Sequence, residues 1–290
     1  QKIKAKNIII AAGSSPASVA PFELDQKYIL SNRDLLQLKE IPSSLAIIGG
    51  GIVGMEFAYI FSALGSQVTI VEVLPSILGS EDREVSELIT ALYEEKGIKI
   101  LTSTNIKGVD IKKSGLILTT DKGHTIEAEK ALVSVGRKPN TEGLNLDGAK
   151  VRQDSKGYIE VDRFGATTAP GIYAIGDING KYPLAHVAAA EGKIAVDHIL
   201  GVEKILNYQA VPYAIFTSPQ IGAMGLTEKQ AQQKAGEIKV GRFPFTHNGR
   251  ALIDGHTAGF TKVITDASTG EILGAHIIGP DAGELIHVMA

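Results

Sequence analysis

Cysteine is absent from the 290 residues, which excludes disulfide staples, thiolate zinc sites, iron–sulfur clusters and cysteine nucleophiles within this chain. An excess of either charge is also missing. The 29 lysines and arginines stand against 32 acids, a net charge of −3, so no general affinity for nucleic acid or anionic membrane is advertised. Any phosphate recognition must be local. With 44% hydrophobic and 21% charged residues, the composition excludes disorder, collagen and coiled coil. There is no initiator Met, which predicts that the chain begins inside a longer protein. Nor is there a convincing membrane segment. Residues 45–65 carry one charge, Glu56, but three consecutive glycines and an acid costing about 2.5–3.5 kcal/mol at mid-bilayer argue against insertion. The basic, apolar start ends at Gly13 and reads as a strand, not a signal peptide. Zero cysteines fits a cytoplasmic setting.

What is present is a succession of buried-strand patterns. Ile8-Ile-Ile-Ala-Ala-Gly13, stopped by glycine and followed by Ser14-Ser-Pro16, predicts a buried parallel strand. Ala131-Leu-Val-Ser-Val-Gly136 repeats it. Each run follows a lysine (Lys6, Lys130) and leads to a proline (Pro16, Pro139), which suggests two similar units in tandem, the second of them complete. That unit opens with Leu45-Ala-Ile-Ile48, turns through Gly49-Gly-Gly51-Ile-Val-Gly54, continues with helically spaced apolar residues over 55–64, and ends in Gln67-Val-Thr-Ile-Val-Glu72. Strand, tight turn, helix and strand follow. A second helix is predicted over 84–96, with Val85, Leu88, Ile89 and Leu92 on one face, then a strand over 98–101 and an antiparallel meander over 108–135. After a glycine-rich stretch from 137 to about 208, residues 211–290 predict a separate α+β domain with strands at 260–264 and 272–278 and a helix near 228–235.

The glycine turn is the first motif that carries chemistry. Gly49 permits the turn, Gly51 lets backbone approach a pyrophosphate, Gly54 lets helix and strand pack closely, and the helix start faces the anion. Glu72 ends the next strand, where a carboxylate accepts hydrogen bonds from ribose hydroxyls and repels a 2′-phosphate, which favours NAD over NADP. The competing account is a glycine-rich turn with Glu72 as a solvated strand end. Glu56, placed in the first turn of the helix, is explained by helix-end electrostatics when taken alone. The second motif, Thr168-Ala-Pro-Gly-Ile-Tyr-Ala-Ile-Gly-Asp177, presents an aspartate after a short strand, and by itself reads equally as a plain turn. Glu284 and His287 share a helical face, but no third ligand lies near them in sequence, so no metal site is expected.

These segments, in this order, resemble the flavin disulfide reductase family, and the similarity covers essentially the whole chain. It is carried by the glycine turn, Ala11-Ala-Gly13-Ser-x-Pro16, Val135-Gly-Arg-Lys-Pro-Asn140 and the aspartate motif. Pro183-Leu-Ala-His-Val-Ala-Ala-Ala-Glu-Gly192, Ile52 and Glu72 point to the branch that oxidises dihydrolipoamide with NAD. Phe243-Pro-Phe245, Asn248-Gly-Arg-Ala251 and residues 274–286 resemble its interface domain. The resemblance implies an α/β fold: the end of an FAD-binding domain over 1–32, a Rossmann-like NAD-binding domain with a small meander over 33–140, the returning part of the FAD domain over 141–208, and an incomplete α+β dimerisation domain over 209–290. It implies FAD and NAD as cofactors, a homodimeric parent, and the dihydrolipoyl domain of a 2-oxoacid dehydrogenase-type complex as substrate. Asp177 would hydrogen-bond the ribityl chain, with Gly13 in the flavin-side turn. The backbone of Leu184, Ala185 and His186 would approach the flavin pyrimidine oxygen, and Gly136 would sit near the nicotinamide. Glu56 would pair with an active-site lysine upstream of Gln1. Ala12 departs from the threonine often found there.

The resemblance also places the family's redox disulfide and FAD pyrophosphate turn before Gln1, and its histidine–glutamate acid/base pair after Ala290. No catalytic residue is therefore expected in this chain, which alone would be inactive. Two alternatives stay open: a mercuric or coenzyme A disulfide type of reductase, and a non-catalytic dinucleotide-binding module.

Overall fold

A computed structural model describes residues 3–290, which divide into two compact units: residues 3–17 with 136–208, and residues 18–135 with 209–290. The cuts fall at 17/18, 135/136 and 208/209, whereas the expected boundaries were 32/33, 140/141 and 208/209. Residues 18–32 join the second unit because the strand Ile29–Leu30 pairs there with Lys130–Val133.

In the first unit, Ile8–Ile10 pairs parallel with Ile172–Ala174, and Ser14–Pro16 pairs antiparallel with Arg137–Pro139. A core of Leu146, Val151, Ile159, Ala169, Ala174 and Ile178 packs against Ile10 and Ile172 of the parallel pair, and the helix Ala185–Ile199 follows in sequence. The expected strand at Ile8 is parallel but not buried. Ile8 is 51% exposed and Ile9 37%, since only Ile10 reaches the core and the ribbon has two strands.

The second unit is built on a five-stranded parallel sheet in the order Ile29–Leu30, Lys130–Val133, Ser44–Ile48, Gln67–Val71, Lys99–Leu101. Both faces are covered, which is why its strands read as unbroken apolar runs. Leu45 and Ile47 face the helices Ile52–Ala63 and Arg83–Glu95, and Ala46 and Ile48 face a three-stranded meander, Ile106–Lys112, Gly115–Thr120 and Thr125–Ala128. The meander ends at Ala128 rather than 135, because Lys130–Val133 is drawn into the parallel sheet. The weakly charged segment 45–65 is thus a strand, a turn and a twelve-residue helix. Among the described residues, no helix is long and apolar enough to cross a membrane.

Residues 209–290 add an antiparallel sheet in the order Tyr213–Ile215, Gln220–Gly225, Ile272–Gly279, Phe260–Asp266, Ile238–Pro244. Ile215, Ile221 and Ile278 of this sheet enter the same core as Met55, Phe57 and Tyr93, so the two sheets share one hydrophobic interior. Tyr93, which the helical pattern did not single out, is fully buried and donates to the Met55 carbonyl.

His276 is 2% exposed on the central strand of this sheet. Its Nε2 donates to the Leu226 carbonyl at 3.1 Å, and among the described residues its Nδ1 has no partner. Burial holds its pKa below the ordinary histidine value, so the folded chain resists a proton that the unfolded chain accepts near pH 6.5. Stability is therefore complete above pH 6.5 and declines as pH falls toward the folded pKa, at most about 1.4 kcal/mol per pH unit. Urea midpoints at pH 7 and pH 5.5 should fall for the wild type and stay closer together for His276→Gln. An equal drop in both would assign the slope to other groups.

Candidate functional site

The glycine turn joins Ser44–Ile48 to Ile52–Ala63, and each glycine has a separate geometric reason. Gly49 adopts φ +105°, and a Cβ there would sit 2.5 Å from the Ser134 carbonyl oxygen; at Gly54 it would sit 2.0 Å from that of Gly49. At Gly51 a Cβ would meet nothing within 4 Å, so this backbone faces open space. Gly51 is also the N-cap, in extended conformation and with no side-chain cap, so the first N–H groups of the helix are presented to whatever occupies that space. Ile52, the first helical residue, packs partly against the core.

Glu72 stands behind this turn and is 8% exposed, which excludes a solvated strand end. Its Oε2 accepts from the Gly50 N–H and its Oε1 from the Leu74 N–H, both at 2.7 Å. The carboxylate thus ties the end of its own strand to the turn, and each oxygen retains a lone pair for a further donor.

Glu56 departs from expectation. The helix begins at Ile52, so Glu56 is its fifth residue and lies beyond the first turn, where the macrodipole acts. Its Oε1 accepts instead from the Phe216 N–H at 2.9 Å, and burial, partly offset by that bond, raises its pKa.

In the first unit, three sequence motifs converge on Asp177. The Ser14 hydroxyl donates to Asp177 Oδ2, Arg137 Nε donates to Ser14 Oγ at 2.6 Å and lies 3.5 Å from Asp177 Oδ2, and a second Arg137 nitrogen donates to the Ser14 carbonyl at 2.8 Å. Asn140 closes the arrangement by donating to the Ala12 carbonyl at 2.9 Å and accepting from Ser15 Oγ at 2.7 Å; its own N–H donates to the Gly13 carbonyl. Gly13 adopts φ +71°, and the Gly136 carbonyl accepts from the Ala17 N–H. Leu184 is the N-cap of Ala185–Ile199 with no side-chain cap, and Ala185 and His186 open that helix on the surface.

Glu191 is a site residue that sequence reasoning quoted without a role. Buried at 5% exposure, it accepts from the Gly176 N–H at 2.7 Å, Asn179 Nδ2 at 2.9 Å and the Tyr208 hydroxyl at 2.6 Å, holding the turn that presents Asp177. The signal for it was a lone acid in an alanine-rich helical run. The expected site residues thus fall into two groups: Gly49, Gly51, Ile52, Gly54, Glu56 and Glu72 in the second unit, and Gly13, Gly136, Asp177, Leu184, Ala185 and His186 in the first. Among the described residues, no group of three histidines or acids is placed to hold a metal.

A parallel sheet whose central strand runs through a glycine turn into a helix with an open start, backed by an antiparallel meander, defines a dinucleotide-binding class of fold. Residues 1–192 match the family described as pyridine nucleotide-disulphide oxidoreductase, and residues 211–290 match the dimerisation domain of the same family. The chain belongs to this family. Similar curated proteins include the dihydrolipoyl dehydrogenases of Chlamydia pneumoniae, 40% identical over 99% of this chain, and of Thermus scotoductus, 41% identical over 97%. The chain spans about 62% of the length of either. Among solved structures, LpdA from Mycobacterium tuberculosis superposes with a TM-score of 0.92 at 32% identity, over 98% of this chain and 63% of that one. The flavoprotein disulfide reductase RclA from Escherichia coli, as its Cu(II) complex, gives 0.91 at 29% identity, over 99% and 67%.

Proposed function

We propose that this chain carries the NAD site and part of the FAD site of a dihydrolipoamide:NAD oxidoreductase, with Gly49, Gly51, Ile52, Gly54 and Glu72 on the NAD side, Gly13, Asp177, Leu184, Ala185 and His186 on the FAD side, Gly136 near the nicotinamide, and Glu56 as the partner of an active-site lysine near the flavin. The observation that carries the reading is the glycine turn, where an uncapped helix start and the open space at Gly51 stand beside the buried carboxylate of Glu72. Both cofactors fit the residues present. The helix N–H groups and their dipole would hold a dinucleotide pyrophosphate, and Glu72 would accept from ribose hydroxyls through its remaining lone pairs. On the flavin side, Asp177 is fixed by Ser14, Arg137 and the Glu191-held turn to receive a polyol hydroxyl, and the uncapped helix at Leu184 presents N–H donors to an electron-rich oxygen.

Flavin and nicotinamide, when bound, supply electron and hydride transfer; the chain's residues bind and orient them. Glu72 orients the ribose and disfavours a 2′-phosphate. Asp177 orients the ribityl chain. The parent would act as a homodimer through residues 209–290, in a cytoplasmic setting, on the dihydrolipoyl domain of a 2-oxoacid dehydrogenase-type complex.

The test is a titration of NADH and NADPH against the purified chain, followed by a lipoamide assay with added FAD. NADH should bind with clear preference, since one carboxylate must otherwise face a phosphate. Dihydrolipoamide-dependent NADH formation should be undetectable, because thiol–disulfide exchange needs a cysteine pair and the chain has no cysteine. Equal affinity for the two nucleotides would remove Glu72 from its role, and turnover by this chain would refute the assignment of the chemistry to residues outside it.

A further inference from the structure

The segment that follows Glu72 does not form regular structure until Arg83, yet it packs directly on the glycine turn. The Leu78 N–H donates to the Gly50 carbonyl at 2.8 Å, and a Cβ on Gly50 would lie 2.6 Å from Ile77 Cγ2. Ile77 and Leu78 are themselves fully buried. The near end of this loop is secured by Glu72. The far end is secured by residues of the antiparallel sheet and of the helix Glu228–Ala235, more than a hundred positions later in sequence.

Three contacts do this. The Tyr213 hydroxyl donates to Glu81 Oε2 at 2.7 Å, Lys262 Nζ donates to Asp82 Oδ1 at 2.7 Å, and the Glu228 N–H donates to Asp82 Oδ2 at 3.0 Å. Asp82 is at the same time the N-cap of Arg83–Glu95, whose Ser86 hydroxyl donates back to the Ile77 carbonyl. A continuous series of contacts therefore runs from Tyr213 and Lys262, through Glu81 and Asp82, to Ile77 and Leu78 and then to Gly50.

We propose that residues 209–290 set the dinucleotide affinity of the glycine turn by anchoring the 73–82 loop through Tyr213 and Lys262. These are positioning residues, acting on the site through Leu78 and Gly50 rather than by touching a ligand. The inference rests on the dinucleotide reading above. A turn whose backbone is held at both ends presents its N–H groups without loss of conformational freedom on binding, and releasing one end adds that loss to every association.

Tyr213→Phe decides it, since it removes one hydroxyl and keeps the ring in place. NADH binding to the whole chain should weaken about fivefold. Hydrogen exchange at the Leu78 amide should accelerate by a similar factor, while the Ile47 and Ile70 amides in the sheet keep wild-type rates. A merely structural role would raise all three together. NADH affinity within about twofold of wild type, or acceleration shared by the sheet amides, overturns the inference while leaving the dinucleotide reading in place. A wild-type chain that binds no NADH overturns the dinucleotide reading and this inference with it.

Discussion

Glu72→Ala should weaken NADH binding by about thirtyfold and abolish the preference over NADPH. The size follows from what the carboxylate does in the structure: it accepts from both Gly50 and Leu74, and each such bond to a charged acceptor contributes about 1.5–3 kcal/mol. Thirtyfold corresponds to about 2 kcal/mol of that total, with the remainder expressed as lower stability. Glu72→Gln sharpens the test. An amide has one oxygen, so one of the two backbone donors would face an NH2 group instead of an acceptor. Glutamine should therefore bind NADH nearly as poorly as alanine, although it could still hydrogen-bond a ribose. Calorimetric titration of the three chains reads this directly, and full affinity in Glu72→Gln would show that the backbone bonds are incidental to binding.

Lys262→Met should lower stability by about 3–5 kcal/mol, the cost of leaving buried charge uncompensated. Lys262 is 1% exposed, and its ammonium lies 2.7 Å from Asp82, Glu84 and Glu228 alike. Burial presses its pKa down, but the three carboxylates outweigh it and leave the pKa above the ordinary lysine value. Arg242 also pairs with Glu84 and Glu228, at 2.7 and 2.8 Å, but it is partly exposed and, among the described residues, makes no ion pair with Asp82. Losing the ammonium leaves Asp82 buried beside His276, whose own charged form burial disfavours. Urea unfolding at pH 7 should show the loss, and it should shrink below pH 4 as the carboxylates, held low by their cations, take up protons. A midpoint unchanged from wild type would mean that the methionine packs as well as the ion cluster binds.

The helix expected near 228–235 is Glu228–Ala235, legible because its start is a local property: the capping box of Thr227 with Gln230 lies three positions apart. The strand–turn–helix–strand unit was equally legible, since apolar periodicity and glycine spacing are local properties. The end of the meander was not, because whether Lys130–Val133 continues an antiparallel pattern or joins a parallel sheet depends on which strand it meets.

The site divides along the same line. By itself the sequence determined the glycine turn, the acid at Glu72, the Asp177 motif and the absence of thiol chemistry, because each is a matter of residue type at short spacing. Only the tertiary structure decided that Glu56 serves Phe216 rather than a helix end, that Glu191 braces the Asp177 turn, and that Lys262 sits among Asp82, Glu84 and Glu228. Those partners lie up to 180 positions apart. A lone lysine on an alternating strand carries no mark of the carboxylates it will meet, since the desolvation that makes the pairing obligatory exists only once the helices Arg83–Glu95 and Glu228–Ala235 have brought theirs against it.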